Sequence, residues 1–520
     1  MPITDKKANK SVGSLMAEQN MGQSTMHYFL GIDSGGTVLK AGLFDRHGRQ
    51  IALYRENTQV IREKQGWIER DLTLYWQEAC RAIQGVIKQS GIRPEQIQGL
   101  SISAQGKGLY LLDKHGKALR HGILSSDSRS IEIVRQWQRD GIPQTIYPLT
   151  RQTLWTGHPV SILRWVKQYE PHLYAQIGSV LMSHDYLRYC LTGEIRAEMT
   201  NMSESNLYHA DKQQYDPALL SIFGIEEVWS ALPELIYPSA CSGTVNEDAA
   251  QATGLMVGTP VYGGLFDVVS TAICSGIDAE QPMLNAVMGT WSVTSGITTA
   301  LEDHPDEQFV YGHYAMPGAY IVHEASPTSA SNYEWFAPYL GGEKIDHQEN
   351  ERLVSALAPL ASDVLFVPFL YGSNAGLGLK GSLYGLQAYH SKAHLIQAIW
   401  LGILCCHNVH LQKMLRRFPE TRVLRVTGGT TQSSTWMQML ADLTGLILEI
   451  PAVEETGALG AALVSMVGSG TYPDLATALA ASDIPIATVQ PNPDLYASYQ
   501  RQYQRYLRYV ETLKNFEEMV

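Results

Sequence analysis

Residues 263–294 read GGLFDVVSTAICSGIDAEQPMLNAVMGTWSVT. An apolar run beginning at Pro260 ends in Gly263, Gly264 and Leu265, and Asp267 then opens a stretch of helical spacing from Val268 to Ser275. A carboxylate therefore stands where two elements join. A second apolar run, residues 284–288, breaks at Gly289-Thr290, where small residues leave backbone N–H groups at the mouth of a turn. Taken singly, Asp267 reads as a helix cap and Gly289-Thr290 as an ordinary hairpin turn.

Residues 28–45, YFLGIDSGGTVLKAGLFD, change that reading. Apolar residues lead into Asp33, a Gly-Gly-Thr turn follows, and a second strand begins near Lys40, which makes a β-hairpin with an acid at its mouth. Gly35 and Gly36 can present N–H groups to a phosphate, the Thr37 hydroxyl can donate, and Asp33 stands where a hydrated Mg²⁺ could be held. The hairpin at Gly289-Thr290 repeats the device. Two such turns, one in each half of the chain, with a carboxylate entering between them, suit a cleft that grips a nucleotide polyphosphate from both sides.

With 520 residues the chain exceeds one typical core, so two domains are expected, 26–275 and 276–520. Residues 1–25 are polar and aperiodic, lack the apolar region of a secretory signal, and are expected to be a disordered extension. A formal net charge of -12 without clustered Lys and Arg argues against a nucleic-acid surface, so any phosphate is bound locally. The six cysteines show no metal or disulfide spacing, which predicts a reducing, cytoplasmic setting, and Cys405-Cys406-His407 falls in a helical pattern that reads as packing. No run of about 18 apolar residues predicts a membrane span. Strands, a helix at 72–90 and a strand at 97–104 in the first half are echoed by strands, helices and strands across 284–467, an order that suggests duplicated α/β domains. Five tyrosines, Tyr496, Tyr499, Tyr503, Tyr506 and Tyr509, make one helical face aromatic, to be covered by the protein itself or by a second subunit of a homodimer.

The acidic glycine hairpin, GGLFD before a helix, the GTW turn and the late run VTGGTTQSSTWMQMLADLTG resemble the FGGY carbohydrate kinases. GHPVSILRWVK (157–167) and YGSNAGLGLKGSLYG (371–385) resemble the two signatures of that family, and the motifs follow its order from about residue 27 to the end. The resemblance implies an α/β fold of two duplicated actin/hexokinase-like (ribonuclease H-like) domains with a cleft between them. It also implies transfer of the γ-phosphate of ATP to a ketopentose. Asp267 is then the general base, Asp33 the Mg²⁺ residue, and Gly35, Gly36, Thr37, Lys40, Gly289 and Thr290 the phosphate contacts. Gly36 stands where many members carry Thr or Ser, and Lys40 where many carry Arg.

The adenine is expected against Gly428 and Gly429, where a strand end lets a flat base approach the backbone, with Ser433 either bonded to base or ribose or capping the next helix. The sugar is expected at Gln105, Gly106 and Lys107. Lys107 either pairs with a carboxylated substrate or is a surface lysine; Asp127 either accepts sugar hydroxyls or makes a turn. Trp155 either stacks on the sugar or packs in the core, and His158, His184 and Asp185 read as structural. Kinases for another ketose or polyol, and a non-catalytic ATP-binding regulator of the same fold, remain as alternatives.

Overall fold

The computed structural model describes residues 27–302, 307–376, 378–482 and 484–519; the extension expected at 1–25 lies outside them. In the first half, β1 (Tyr28–Ser34), β2 (Val38–Asp45) and β3 (Gln50–Asn57) form an antiparallel meander. Helix α1 (Leu72–Ser90) follows, started by Asp71, whose carboxylate accepts the Leu74 N–H, and stopped by Gly91 at φ 67°. These are the two chemical signals that begin and end a helix. Strand β4 (Ile97–Ala104) then pairs parallel to β1. After a helical insertion, β5 (Cys241–Thr244), β6 (Pro260–Tyr262) and β7 (Leu265–Phe266) complete a sheet ordered β5-β6-β4-β1-β2-β3, with β7 extending β4. Asp267 opens α2 (Asp267–Ser275) directly after β7.

The second half repeats the plan. Strands β8 (Met283–Met288) and β9 (Ser292–Thr298) form a hairpin, and β10 (Val310–His313) and β11 (Tyr320–Ser326) continue it. After α3 (Lys392–Arg417) come β12 (Val423–Thr427), α4 (Ser434–Thr444), β13 (Ile447–Pro451), α5 (Thr456–Gly468), β14 (Ile486–Val489) and α6 (Pro493–Met519). The order β10-β11-β9-β8-β12-β13-β14 carries the same three antiparallel and two parallel strands as β3-β2-β1-β4-β6. Helix α3 is long and apolar enough to cross a membrane, and Trp400, Ile403, Leu404, Cys405 and Cys406 bury it in the second domain's core instead.

Most of the aromatic face of α6 is covered from within the chain: Tyr499, Tyr503 and Tyr506 sit in that same core and Tyr509 packs against it. Tyr496 stays exposed at the start of the helix.

Two helices join the halves. Helix α5, from the second half, lies on the first sheet so closely that a Cβ on Gly31 would stand 1.8 Å from the Ala458 carbonyl oxygen. Its small residues are what permit this approach. Helix α2 lies beside it, with the Ser270 hydroxyl donating to the carbonyls of Thr456 and Gly457 at 3.0 Å each. Phe29, Phe44, Phe266, Leu459 and Ile297 fill the shared core around them.

Candidate active site

Strand register gathers the acids. Ser34 at the end of β1 pairs with Ala104 on β4, and Ala104 pairs in turn with Phe266 on β7. Asp33, the loop 105–107 and Asp267 therefore leave one sheet at one edge, the carboxyl ends of parallel strands where α/β folds build their sites. On the opposite side of the cleft, Val287 of β8 pairs with Thr427 of β12, which puts Gly289-Thr290 beside Gly428-Gly429. A Cβ on Gly428, at φ 109°, would meet the Met288 carbonyl oxygen at 2.5 Å, so only glycine lets the two turns touch.

Asp267 is half-buried at the first position of α2, where the helix N-terminus favours a carboxylate. Burial nevertheless pushes its pKa up to about 7, helped by the negative charge of Asp33 at the same sheet edge. Burial raises Asp33 as well, against the pull of Lys40 and with the push of Glu455. Lys40 lies 2.7 Å from Glu455 and 3.5 Å from Asp33, and Arg55 pairs with the other Glu455 oxygen. The N-terminus of α5 also approaches Asp33, since a Cβ on Gly457 would stand 2.3 Å from its carboxyl carbon. Glu455 was readable only as part of a packing helix; its role comes from Lys40 and Arg55, some four hundred residues away.

The two turns are unequal. In the first, the Gly35 N–H closes the turn on the Val38 carbonyl at 3.1 Å, leaving Gly36 and the exposed Thr37 as free donors. Gly35 shapes the turn and donates nothing outward, which corrects the sequence reading. In the second, the Ala330 N–H donates to Gly289 O at 3.0 Å and the Ser331 hydroxyl to Thr290 O at 2.9 Å. Behind it, His407 bridges Ser292 and Ser329 at 2.7 and 2.9 Å, and burial holds its pKa down near 3. His407 is thus a polar strut inside the second domain, and the Cys405-Cys406-His407 run holds no metal cluster among the described residues.

Gly106 is required where it stands, because a Cβ there would strike the Phe266 ring at 2.3 Å. The Gln105 side chain points toward Gly36, with Oε1 3.7 Å from where a Gly36 Cβ would be. Lys107 is not a surface lysine. It is buried at φ 63°, its ammonium 2.5 Å from Glu204 and 4.9 Å from the centre of the Phe266 ring. His323, from β11 of the other domain, approaches Glu204 at 2.9 Å. Lys107 and the hydrogen-bonded His323 ring hold the buried Glu204 carboxyl down near 2 despite its desolvation.

Two residues expected at the ligands are engaged elsewhere. Asp127 is fully buried, with Oδ1 accepting from the backbone N–H and Nε of Arg129 and Oδ2 from Ile68 N–H and Arg129 Nη2. No acceptor remains for a sugar hydroxyl, so Asp127 leaves the site. Ser433 caps α4 by accepting the Trp436 N–H at 3.0 Å, and its own hydroxyl donates to Glu351. It serves the helix, and Glu351, which also accepts from Thr435, had no signal in the sequence. Trp155 meets Trp291 edge-on at 6.2 Å across the cleft, and His158, His184 and Asp185 are buried.

Residues 28–274 match the N-terminal domain model, and residues 284–469 the C-terminal domain model, of the FGGY family of carbohydrate kinases. The chain is 53% identical to a probable L-xylulose kinase of Pasteurella multocida over 94% of its own length and 99% of the relative's. It is 51% identical to the L-xylulose/3-keto-L-gulonate kinase of Escherichia coli, covering 94% of this chain and 98% of that one. The fold is that of a ligand-bound xylulose kinase from Lactobacillus acidophilus, with a TM-score of 0.86 at 21% identity and coverage of 94% and 99%. A glycerol kinase from Plasmodium falciparum with ADP matches at a TM-score of 0.81 and 18% identity, over 93% and 98% of the two chains. Two actin/hexokinase-like domains facing one carboxylate-lined cleft, and both family models matched in order, lead to one conclusion: this chain belongs to the FGGY family of carbohydrate kinases.

Proposed function

We propose that the protein transfers the γ-phosphate of ATP to the terminal hydroxyl of L-xylulose, giving L-xylulose 5-phosphate, with Asp267 as general base. The observation that carries the mechanism is the Asp267 carboxyl, held at a helix N-terminus with its pKa near 7, on the sheet edge that also carries Asp33 and loop 105–107. A base of that strength matches a neutral working pH. It accepts the hydroxyl proton as the oxygen attacks, while Gly36, Thr37, Gly289 and Thr290 hold phosphate oxygens from the two domains. In the loose transition state of phosphoryl transfer such positioning carries most of the rate. The adenine lies over Gly429, which has open space above it.

The residues present fit Mg²⁺. Asp33 raises the pKa of Asp267 from the same sheet edge, and a divalent cation held at Asp33 would relieve that repulsion. Among the described residues no group of three His, Cys, Asp or Glu side chains is placed to hold a metal ion, so the ion would be held by Asp33, with water and phosphate oxygens supplying the rest. Bound there, Mg²⁺ would neutralise charge on the β- and γ-phosphates. Closure of the domains around the substrates would exclude water that could otherwise accept the phosphate.

A carboxylated acceptor, 3-keto-L-gulonate, is the second reading, favoured by the name of the Escherichia coli relative. Lys107 is the cation assigned to its carboxylate, and it would have to share or leave Glu204 to serve. Coupled ADP-release kinetics over L-xylulose, D-xylulose, L- and D-ribulose and 3-keto-L-gulonate test both readings. The highest kcat/KM is expected with L-xylulose; a polyol or a D-ketose ahead of it would remove the assignment.

A further inference from the structure

Arg70 follows Glu69 in a short strand beneath the first hairpin and is fully buried, at 0% exposure. No carboxylate hydrogen-bonds it among the described residues, and its Nε and Nη1 find no acceptor. Its Nη2 donates to Gly36 O at 2.8 Å and to Gly35 O at 3.1 Å, and the guanidinium lies 4.2 Å from the centre of the Tyr75 ring. Thr58 completes the clamp: its N–H donates to Thr37 O at 2.9 Å and its hydroxyl to Gly36 O at 3.3 Å. Glu78 lies close enough to offset part of its charge without a hydrogen bond to it, yet a buried guanidinium with two nitrogens lacking an acceptor is costly, and such a group needs an explanation.

The explanation lies in the trans peptide, whose C=O and N–H point opposite ways. A carbonyl of Gly35 drawn inward to Arg70 turns the Gly36 N–H outward; a carbonyl of Gly36 drawn inward does the same for Thr37. The second hairpin uses the same geometry with neutral donors, Ala330 N–H and the Ser331 hydroxyl. In the first, the donor is a full positive charge in a low-dielectric interior, which polarises both peptides toward an anion.

We propose that Arg70 is the positioning residue of the first phosphate turn, acting through the Gly35 and Gly36 carbonyls to aim the Gly36 and Thr37 N–H groups at the β- and γ-phosphates of ATP. It rests on the reading of Gly36 and Thr37 as phosphate donors. Arg70 takes no part in the chemistry and touches no substrate.

The test is initial-rate kinetics with ATP and sugar varied separately, together with thermal-shift titrations of ATP and AMP, on Arg70→Met, Arg70→Lys, Thr58→Val and Thr37→Val. Arg70→Met is expected to raise the KM for ATP by about tenfold or more, as for loss of a charged hydrogen bond. The sugar KM and the AMP affinity should stay within about twofold, because neither involves the turn. Arg70→Lys, with the charge but a single point of attachment, should fall between. A lowered melting temperature with ATP KM unchanged would make Arg70 merely structural, and equal losses for ATP and AMP would place its effect outside the phosphate turn. Should Arg70→Met not fold, Thr58→Val reads the same clamp with one hydroxyl removed; an ATP KM about threefold higher is expected, and no change overturns the clamp. Thr37→Val separates the two claims. If it raises the ATP KM while Arg70→Met does not, the arginine's role fails alone; if both are silent, the phosphate reading of the turn fails with it.

Discussion

Asp267 is where stability and the proposed role as general base pull against each other. Its pKa near 7, against about 3.8 in an unfolded chain, means that the folded protein binds an extra proton between those values. Stability therefore falls as pH rises from about 4 to 7, and above 7 the whole cost of a buried charge is present. Asp267→Asn should lower kcat by about 10² or more with little change in sugar affinity. The same variant should melt at a higher temperature than wild type at pH 8, by a margin that shrinks toward pH 5; calorimetry at the two pH values checks the sign. Equal melting at pH 8 would mean the carboxylate is well solvated. Lys107 and Glu204 make the opposite case, a charge pair that holds together only as a pair. Removing either partner alone, in Lys107→Met or Glu204→Gln, should cost about 3 kcal/mol or more, and the double variant should recover a large part of it, which a double-mutant cycle in denaturant measures. The partner of Lys107 could not be read from the sequence because it lies 97 residues away. Asp127 differs: its partner Arg129 is two residues on, and the pair was legible in Ser126-Asp127-Ser128-Arg129 had the local ion pair been weighed against a distant sugar.

Elements were the most legible level, since their signals are local. The helix at Leu72–Ser90 and the strand at Ile97–Ala104 carry their own caps and apolar periods, and the structure has them at those bounds. Both glycine hairpins were readable for the same reason. What each turn's peptides do was not: that the Gly35 N–H is spent on Val38, or that Ser433 hands its proton to Glu351, depends on contacts set by packing. The Gly428-Gly429 turn allows a direct comparison of neighbours. Gly428→Ala places a Cβ 2.5 Å from Met288 O at a φ of 109°, so it should cost about 1–3 kcal/mol in stability and part the two turns. Gly429→Ala meets nothing within 4 Å, so its melting temperature should match wild type. If adenine lies over Gly429, that silent methyl should still raise the ATP KM several-fold; an unchanged KM would move the base elsewhere.

At the scale of the molecule, the order of elements announced two similar halves, but not that α5 leaves its own domain to lie on the other sheet. That contact depends on Gly31 and Ala458, which look like two unremarkable small residues until the sheet and helix are superposed in space. The cost of burying polar side chains within the two domains shows in the histidines. His158, His313, His407 and His410 sit in places where burial holds their pKa values to about 3, 4, 3 and 4. An unfolded histidine titrates near 6.5, so between about pH 6.5 and 4 the unfolded chain takes up four protons that the folded one refuses. Asp267 opposes them with one proton bound by the folded state, leaving a net of about three and a slope near 4 kcal/mol per pH unit around pH 5. Below pH 4.5 Glu204, held near 2 by Lys107 and His323, adds to the same trend. The stability these groups contribute is thus complete above pH 7 and lost on acidification. Melting temperatures should be level between pH 7 and 8 and fall steeply below pH 6. His407→Gln, which keeps hydrogen-bonding atoms near Ser292 and Ser329 without a titrating ring, should make the fall shallower by about one proton's worth. A melting temperature constant down to pH 4.5 would mean these histidines carry charge in the folded protein, and their surroundings would then have to be far wetter than the close contacts of β10 and α3 allow.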